Sequence, residues 1–214
     1  MKRLLCSMLA WAALAPLAEA QDGKAGEAKA AMCIGCHGIP GYQSSFPEVH
    51  KVPMISGQNA KYIAAALGAY KKGERKHPTM RAVAASLTDQ DIADLAEFYQ
   101  AHGTEADRPP AKLAAEPPPQ VAEILKKAAC ASCHGENMNT PIDPSYPKIA
   151  GQYADYLYAA MKAYKTDNNA LIGRNNAIMA GMVKPFSPAE LKTLARYIGS
   201  LPGELETVRQ SPFK

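Results

Sequence analysis

Large side chains are scarce in this chain. Of its 214 residues only 7% are aromatic, with a single Trp. A small helical domain built on Ala and medium aliphatics has a thin core, so something besides side chains is expected to fill it. Long apolar runs are missing beyond the N-terminus. That excludes a multi-span membrane protein, because a spanning helix needs about 20 apolar residues. Runs that alternate apolar and polar residues are missing too, which excludes a fold rich in strands. So are basic clusters. The 24 Lys and Arg exceed the 20 Asp and Glu by only four, with no basic run longer than three, so nothing suggests nucleic-acid binding. A hydrophobic content of 47% excludes a disordered tail protein.

The N-terminus has the form of an export signal. Lys2 and Arg3 precede an apolar stretch from Leu4 to Leu17, and Ala18-Glu19-Ala20 has the small-x-small pattern of a cleavage site. Residues 1–20 are therefore expected to be removed, Cys6 with them, leaving a mature chain from Gln21. The expected location is the periplasm, an oxidising compartment. No integral membrane anchor is expected after cleavage.

The rest of the chain repeats itself. Cys33-Ile34-Gly35-Cys36-His37-Gly38 returns as Cys130-Ala131-Ser132-Cys133-His134-Gly135, 97 residues on. Pro53-Met54-Ile55-Ser56-Gly57-Gln58 returns as Pro147-Lys148-Ile149-Ala150-Gly151-Gln152, Tyr62 and Tyr70 as Tyr156 and Tyr164, Arg75 and Met80 as Arg174 and Met179, and Leu95-Ala96 as Leu194-Ala195. The expected organisation is an N-terminal domain at 21–102, a linker at 103–120 and a C-terminal domain at 121–214. Pro109-Pro110 and Pro117-Pro118-Pro119 make the linker semi-rigid. Helical periodicity runs over 59–72 and 154–165. Capping-box starts at Thr88 and Ser187 open final helices over 89–101 and 188–200. Each unit reads as three helices joined by loops.

Four of the five cysteines form two Cys-x-x-Cys-His motifs, the attachment signature of c-type haem. Two thiols one helical turn apart suit thioethers to one porphyrin, and the adjacent imidazole suits the iron beneath it. Competing readings are weaker. A zinc site would place its cysteine pairs about 15–20 residues apart, whereas 93 residues separate Cys36 from Cys130. A redox dithiol leaves the two histidines unexplained, and simple disulfides remain an option in an oxidising compartment. Two covalent haem c groups are the expected cofactors, held by Cys33, Cys36, Cys130 and Cys133.

A six-coordinate haem needs a further ligand, commonly Met or His. The second unit's only histidine is His134, so it cannot supply two. Among seven mature methionines only Met80 and Met179 superimpose in the repeat, with Met182 the rival in unit two. The expected iron ligands are His37 with Met80 and His134 with Met179. The carbonyls of Pro53 and Pro147 are candidates to hold the two imidazoles, and Arg75 and Arg174 to meet haem propionates. The four matched tyrosines are expected to pack on helices, and His50, His77 and His102 to lie exposed at loops or helix ends. A filled sixth position argues for electron transfer, so no catalytic residue is expected.

These motifs, their duplication and their order resemble the dihaem cytochrome c4 family of bacterial periplasms. The resemblance implies an all-α fold of two tandem class I cytochrome c domains related by a pseudo-two-fold axis, with propionate edges facing across the interface. It implies single-electron traffic from a quinol-oxidising complex to a terminal oxidase such as the cbb3 type, with peripheral association with membrane complexes. Two alternatives stand beside it: a dihaem subunit of a larger oxidoreductase such as a sulfide-oxidising flavocytochrome, and a dihaem peroxidase or thiosulfate-oxidising enzyme. Two departures, the longer loop 39–52 and the insertion 166–173, are expected to shape a docking surface.

Overall fold

The computed structural model describes residues 23–103 and 116–209. The export signal and most of the proposed linker lie outside the described residues. Unit one begins with α1 (Gly23–Lys29) and α2 (Ala31–His37), followed by a hairpin of β1 (Gln43–Ser44) and β2 (His50–Lys51). Then come α3 (Ala60–Lys72), β3 (Arg75–Lys76), α4 (Pro78–Ala85) and α5 (Asp89–Ala101). Unit two runs through α6 (Pro119–Lys127), α7 (Ala131–His134), α8 (Ala154–Tyr164), β4 (Gly173–Arg174), α9 (Ala177–Val183) and α10 (Pro188–Ser200).

Each unit thus has five described helices where the periodicity shows three. The extra helices are α4 and α9, eight and seven residues long, together with the breaks at Ala30 and at 128–130 that separate α1 from α2 and α6 from α7. Such short segments span too few turns to display a period. The long helices start and stop for local reasons. Thr88 and Asp91 form a reciprocal capping box at α5, as do Ser187 and Glu190 at α10. Gly73, at φ 77°, ends α3 in a left-handed turn that a side chain would strain.

The two cores are separate. Ile63, Leu87, Ile92, Leu95, Ala96 and Tyr99 fill unit one, and unit two is built round Leu157, Met161, Phe186, Leu191, Leu194 and Ile198. In unit one α1 crosses α5 at Gly26, where a Cβ would meet the Asp94 carbonyl oxygen at 2.2 Å. Lys29 locks that crossing through Asp94 at 2.6 Å and Asp91 at 2.8 Å.

The units are joined by reciprocal contacts. Gln58 donates to the Lys148 carbonyl at 2.9 Å and accepts from the Lys148 N–H at 2.9 Å. Gln152 does the same to Met54, at 2.9 and 3.1 Å. This is the self-complementary exchange that a two-fold relation generates. Strand β3 pairs antiparallel with β4, Arg75 facing Arg174 and Lys76 facing Gly173. The C-terminal tail returns to unit one, where the Glu206 N–H donates to the Ser56 carbonyl at 3.1 Å.

Both departures from the repeat are used in this junction. In the loop 39–52, Lys51 bonds Asp155 of α8 through its backbone N–H (3.1 Å) and its ammonium (3.3 Å). Glu48 pairs with Lys162. In the insertion, the Asn169 carbonyl accepts from the Lys76 ammonium at 2.6 Å. These segments reach across to the other unit as straps.

Candidate functional site

Helix α2 ends in Cys33, Cys36 and His37, and the second motif ends α7 with Cys133 and His134. All four cysteines are half-buried, and none is in a disulfide. The helical turn sets both thiols of a motif on one side. Beyond His134 the chain must turn at once. Gly135, at φ 80°, makes the turn, and a Cβ there would lie 2.1 Å from the Thr140 carbonyl oxygen.

Each imidazole is fixed in the same way. His37 Nδ1 lies 2.9 Å from the Pro53 carbonyl oxygen, and His134 Nδ1 lies 2.9 Å from the Pro147 carbonyl oxygen. A carbonyl only accepts, so Nδ1 carries the proton and Nε2 keeps its lone pair. Burial lowers both histidine pKa values, against the raising effect of the carbonyl bond. For His37 the Arg75 guanidinium lowers it further. Both rings are held neutral and aimed, the state a metal-ligating imidazole needs.

The short helices α4 and α9 carry Met80 and Met179. The residue three before each methionine caps the helix: the Met80 N–H donates to His77 Nδ1 at 3.5 Å, and the Met179 N–H to Asn176 Oδ1 at 2.9 Å. His77 and Asn176 occupy equal positions in the repeat, and their common cap role was missed in the sequence. Met179 is half-buried and packs on the unit-two core, as Cys130 does, whereas Met182 is 40% exposed. Met138 and Met161 are core residues, and Met54 lends its backbone to the Gln152 clamp.

The matched arginines and tyrosines converge at the junction. Arg75 donates to the hydroxyls of Tyr62 (3.1 Å) and Tyr156 (2.8 Å), and Arg174 donates to Tyr156 at 3.1 Å. Arg75 also stacks over Tyr70, and Arg174 over Tyr164. Burial opposes ionisation of the Tyr156 hydroxyl, but Arg174 and Arg75 together outweigh it and bring its pKa to about 8. His50 belongs to this cluster. It is 6% exposed, stacks on Tyr156 and meets His77 edge-on, so the expectation that it lies exposed is corrected. Its burial follows from the hairpin folding over α8. His77 and His102 are half-buried at helix ends.

This arrangement fits a haem in each unit. Each unit offers two cysteines, one oriented imidazole and a repeat-matched methionine. The guanidiniums give an independent sign. Among the described residues no carboxylate pairs with either Arg75 or Arg174, and Arg75 Nε is buried without a partner. A cationic pair of this kind calls for anions, and each haem brings two carboxylates. Zinc fits poorly: among the described residues no three His, Cys, Asp or Glu side chains form a metal-holding group.

Known proteins agree. The family model for cytochrome c matches residues 21–102 and again 120–202. Cytochrome c4 of Pseudomonas aeruginosa is 28% identical over 94% of this chain and all of that protein. A thiosulfate dehydrogenase electron acceptor of Stutzerimonas stutzeri is 27% identical over 95% of this chain and 93% of that protein. The solved cytochrome c4 of Acidithiobacillus ferrooxidans superimposes with a TM-score of 0.59 at 26% identity, covering 80% of this chain and 99% of that one. Fold and sites define a tandem class I cytochrome c, and the chain belongs to the cytochrome c family. Within it the chain is of the cytochrome c4 type and carries two covalently bound haem c groups.

Proposed function

We propose that this protein is a periplasmic carrier of single electrons. Cys33 and Cys36 would hold one haem and Cys130 and Cys133 the other, with His37 and Met80, and His134 and Met179, as iron ligands. The observation that carries this reading is the repeated fixing of a neutral imidazole, His37 by Pro53 and His134 by Pro147, each at 2.9 Å. The bound groups supply one-electron chemistry; the protein's part is to place and tune them.

The residues divide that work. The two proline carbonyls orient the imidazoles, and the caps at His77 and Asn176 position the methionine helices. Soft sulfur ligation raises a haem potential relative to two imidazoles and closes the iron to small ligands. Arg75 and Arg174 meet propionates and keep cationic charge between the two centres. The glutamine clamp and the straps hold the units at fixed separation, so an electron passes between haems without domain motion. The proposed donor is a quinol-oxidising complex and the proposed acceptor a terminal oxidase such as the cbb3 type. The proposed contact with such complexes is peripheral; among the described residues no helix is long and apolar enough to cross a membrane.

A second reading keeps the same chemistry and changes the donor. The relative named as a thiosulfate dehydrogenase electron acceptor aligns over nearly the whole chain, which favours electrons drawn from sulfur oxidation as an alternative source. Stopped-flow reduction by a quinol-oxidising complex and by a thiosulfate dehydrogenase separates the two.

The ligand assignment has its own test. Pyridine haemochrome analysis is expected to give two covalent haems per chain, and the oxidised protein the near-infrared band of His/Met ligation from both. Met179→Ala is expected to remove half of that band and Met182→Ala none. The reverse outcome moves the ligand to Met182.

A further inference from the structure

The repeat is broken at one buried position beside a haem-binding cysteine. Tyr99 lies on α5 in the unit-one core, 4% exposed, and its hydroxyl is buried without a hydrogen-bond partner. A hydroxyl taken out of water and left unpaired is costly, so its persistence calls for an acceptor. The side chains round it are mostly apolar. Phe98 meets the ring edge-on, and so does His102, whose Nδ1 is engaged with Ser56 at 2.9 Å.

The polar group that interacts with it is Cys33. This cysteine packs on the same core cluster as Tyr99. Burial pushes the pKa of both groups up, and the two perturb each other's ionisation, although thiol and hydroxyl do not reach hydrogen-bond geometry. A thiol can itself donate, so two donors compete there. A thioether sulfur has no proton and only accepts.

Unit two has no hydroxyl at the equivalent position. The alignment of Leu95-Ala96 with Leu194-Ala195 puts Ile198 at the position of Tyr99. The backbone agrees: the Gly57 N–H donates to the Tyr99 carbonyl at 2.8 Å, and the Gly151 N–H to the Ile198 carbonyl at 3.0 Å. Ile198 is also 4% exposed, and Cys130 packs on its cluster as Cys33 does on that of Tyr99. At this aligned position the cluster that carries Cys33 has a buried hydroxyl and the cluster that carries Cys130 a hydrocarbon.

We propose that Tyr99 donates its hydroxyl hydrogen to the thioether sulfur formed at Cys33, and so raises the reduction potential of the unit-one haem alone. This rests on the assignment of Cys33 as an attachment site. A donor at the sulfur sets the positive end of a dipole towards the haem, which favours the electron-richer reduced state. Hydrogen bonds and local polarity of this kind are among the protein's levers on a haem potential. Tyr99 is a positioning residue in this sense: it tunes the centre through Cys33.

The test is Tyr99→Phe in the full haem-loaded protein, which keeps the ring and removes the hydroxyl. Spectroelectrochemical titration is expected to show the unit-one transition lowered, with a threefold to tenfold larger oxidised-to-reduced ratio at fixed potential; tenfold is about 59 mV for one electron. The unit-two transition stays in place. Met80→His, which replaces the proposed unit-one ligand, identifies the transition. Resonance Raman gives a second readout: a thioether C–S mode of the wild type shifts on exchange into heavy water, and Tyr99→Phe abolishes the shift. Two transitions unmoved, or both moved together, with two haems still attached, overturn the proposal. An unshifted haemochrome band in Cys33→Ala would sink the attachment assignment itself, and the proposal with it.

Discussion

Arg75 and Arg174 face each other in the antiparallel register of β3 and β4, and both donate to the hydroxyl of Tyr156. Like charges opposed across a strand pair are destabilising. Anions would offset that repulsion, as the proposed contacts with haem carboxylates do. Loss of a cation from this position should disfavour the reduced state of both centres. Arg75→Gln is therefore expected to lower both potentials, by roughly the tens of millivolts that one charge exerts at an effective dielectric of about 20. Titration of the variant checks this, and a shift confined to one centre would contradict it. The paired response distinguishes Arg75 from Tyr99.

The glutamine clamp makes a local prediction. Gln58→Leu strips the Lys148 N–H and carbonyl of their partners inside the junction. An unpaired buried polar group costs about 1–3 kcal/mol, so chemical denaturation should report a loss of that order. Hydrogen exchange should speed up at the Lys148 amide. Gln152→Leu should do the same at Met54, its reciprocal partner.

Two glycines should respond in opposite directions. At Gly26 a Cβ would drive into the backbone of α5 at 2.2 Å, so Gly26→Ala forces the helices apart. The expected cost is about 1–3 kcal/mol, the usual range for overpacking. Gly68 lies inside α3 with nothing within 4 Å of a Cβ, so Gly68→Ala should stabilise by about 0.5–1 kcal/mol. Midpoints of thermal unfolding for the pair check both signs.

Acid should loosen the protein through His37 and His134. Burial, and the iron proposed to bind Nε2, both disfavour their protonation, so the folded state binds fewer protons than the unfolded state. Stability is then complete above pH 6.5 and falls as the pH drops from there towards the folded values. The slope reaches about 1.4 kcal/mol per pH unit for each histidine. Denaturation at a series of pH values, followed by the haem absorption, should show this decline; a flat profile between pH 6.5 and about 5 would contradict it.

Much of this was legible from residue order. The two cysteine–histidine motifs, the proline four residues before each glycine, and Met80 with Met179 can be aligned by eye, and the proline carbonyls do reach the imidazoles. The long helices announce themselves by apolar spacing and capping boxes. The short methionine helices do not, because two turns carry too little period. The repeat also hid its own function: Gln58 and Gln152 look like a marker of common ancestry, and nothing in a single copy says that each grips the backbone of the other.

The sequence by itself determined the duplication, the helical class and the chemistry of each half, because spacing along a helix turn fixes which side chains share a face. Only the tertiary structure decided what lies between the halves. Burial of His50, the reach of Arg75 to Tyr156 and the use of the two length differences as straps all depend on residues 81 to 114 apart in the chain. The repeat is symmetric in sequence, but its contacts are made between copies, where no local pattern records them.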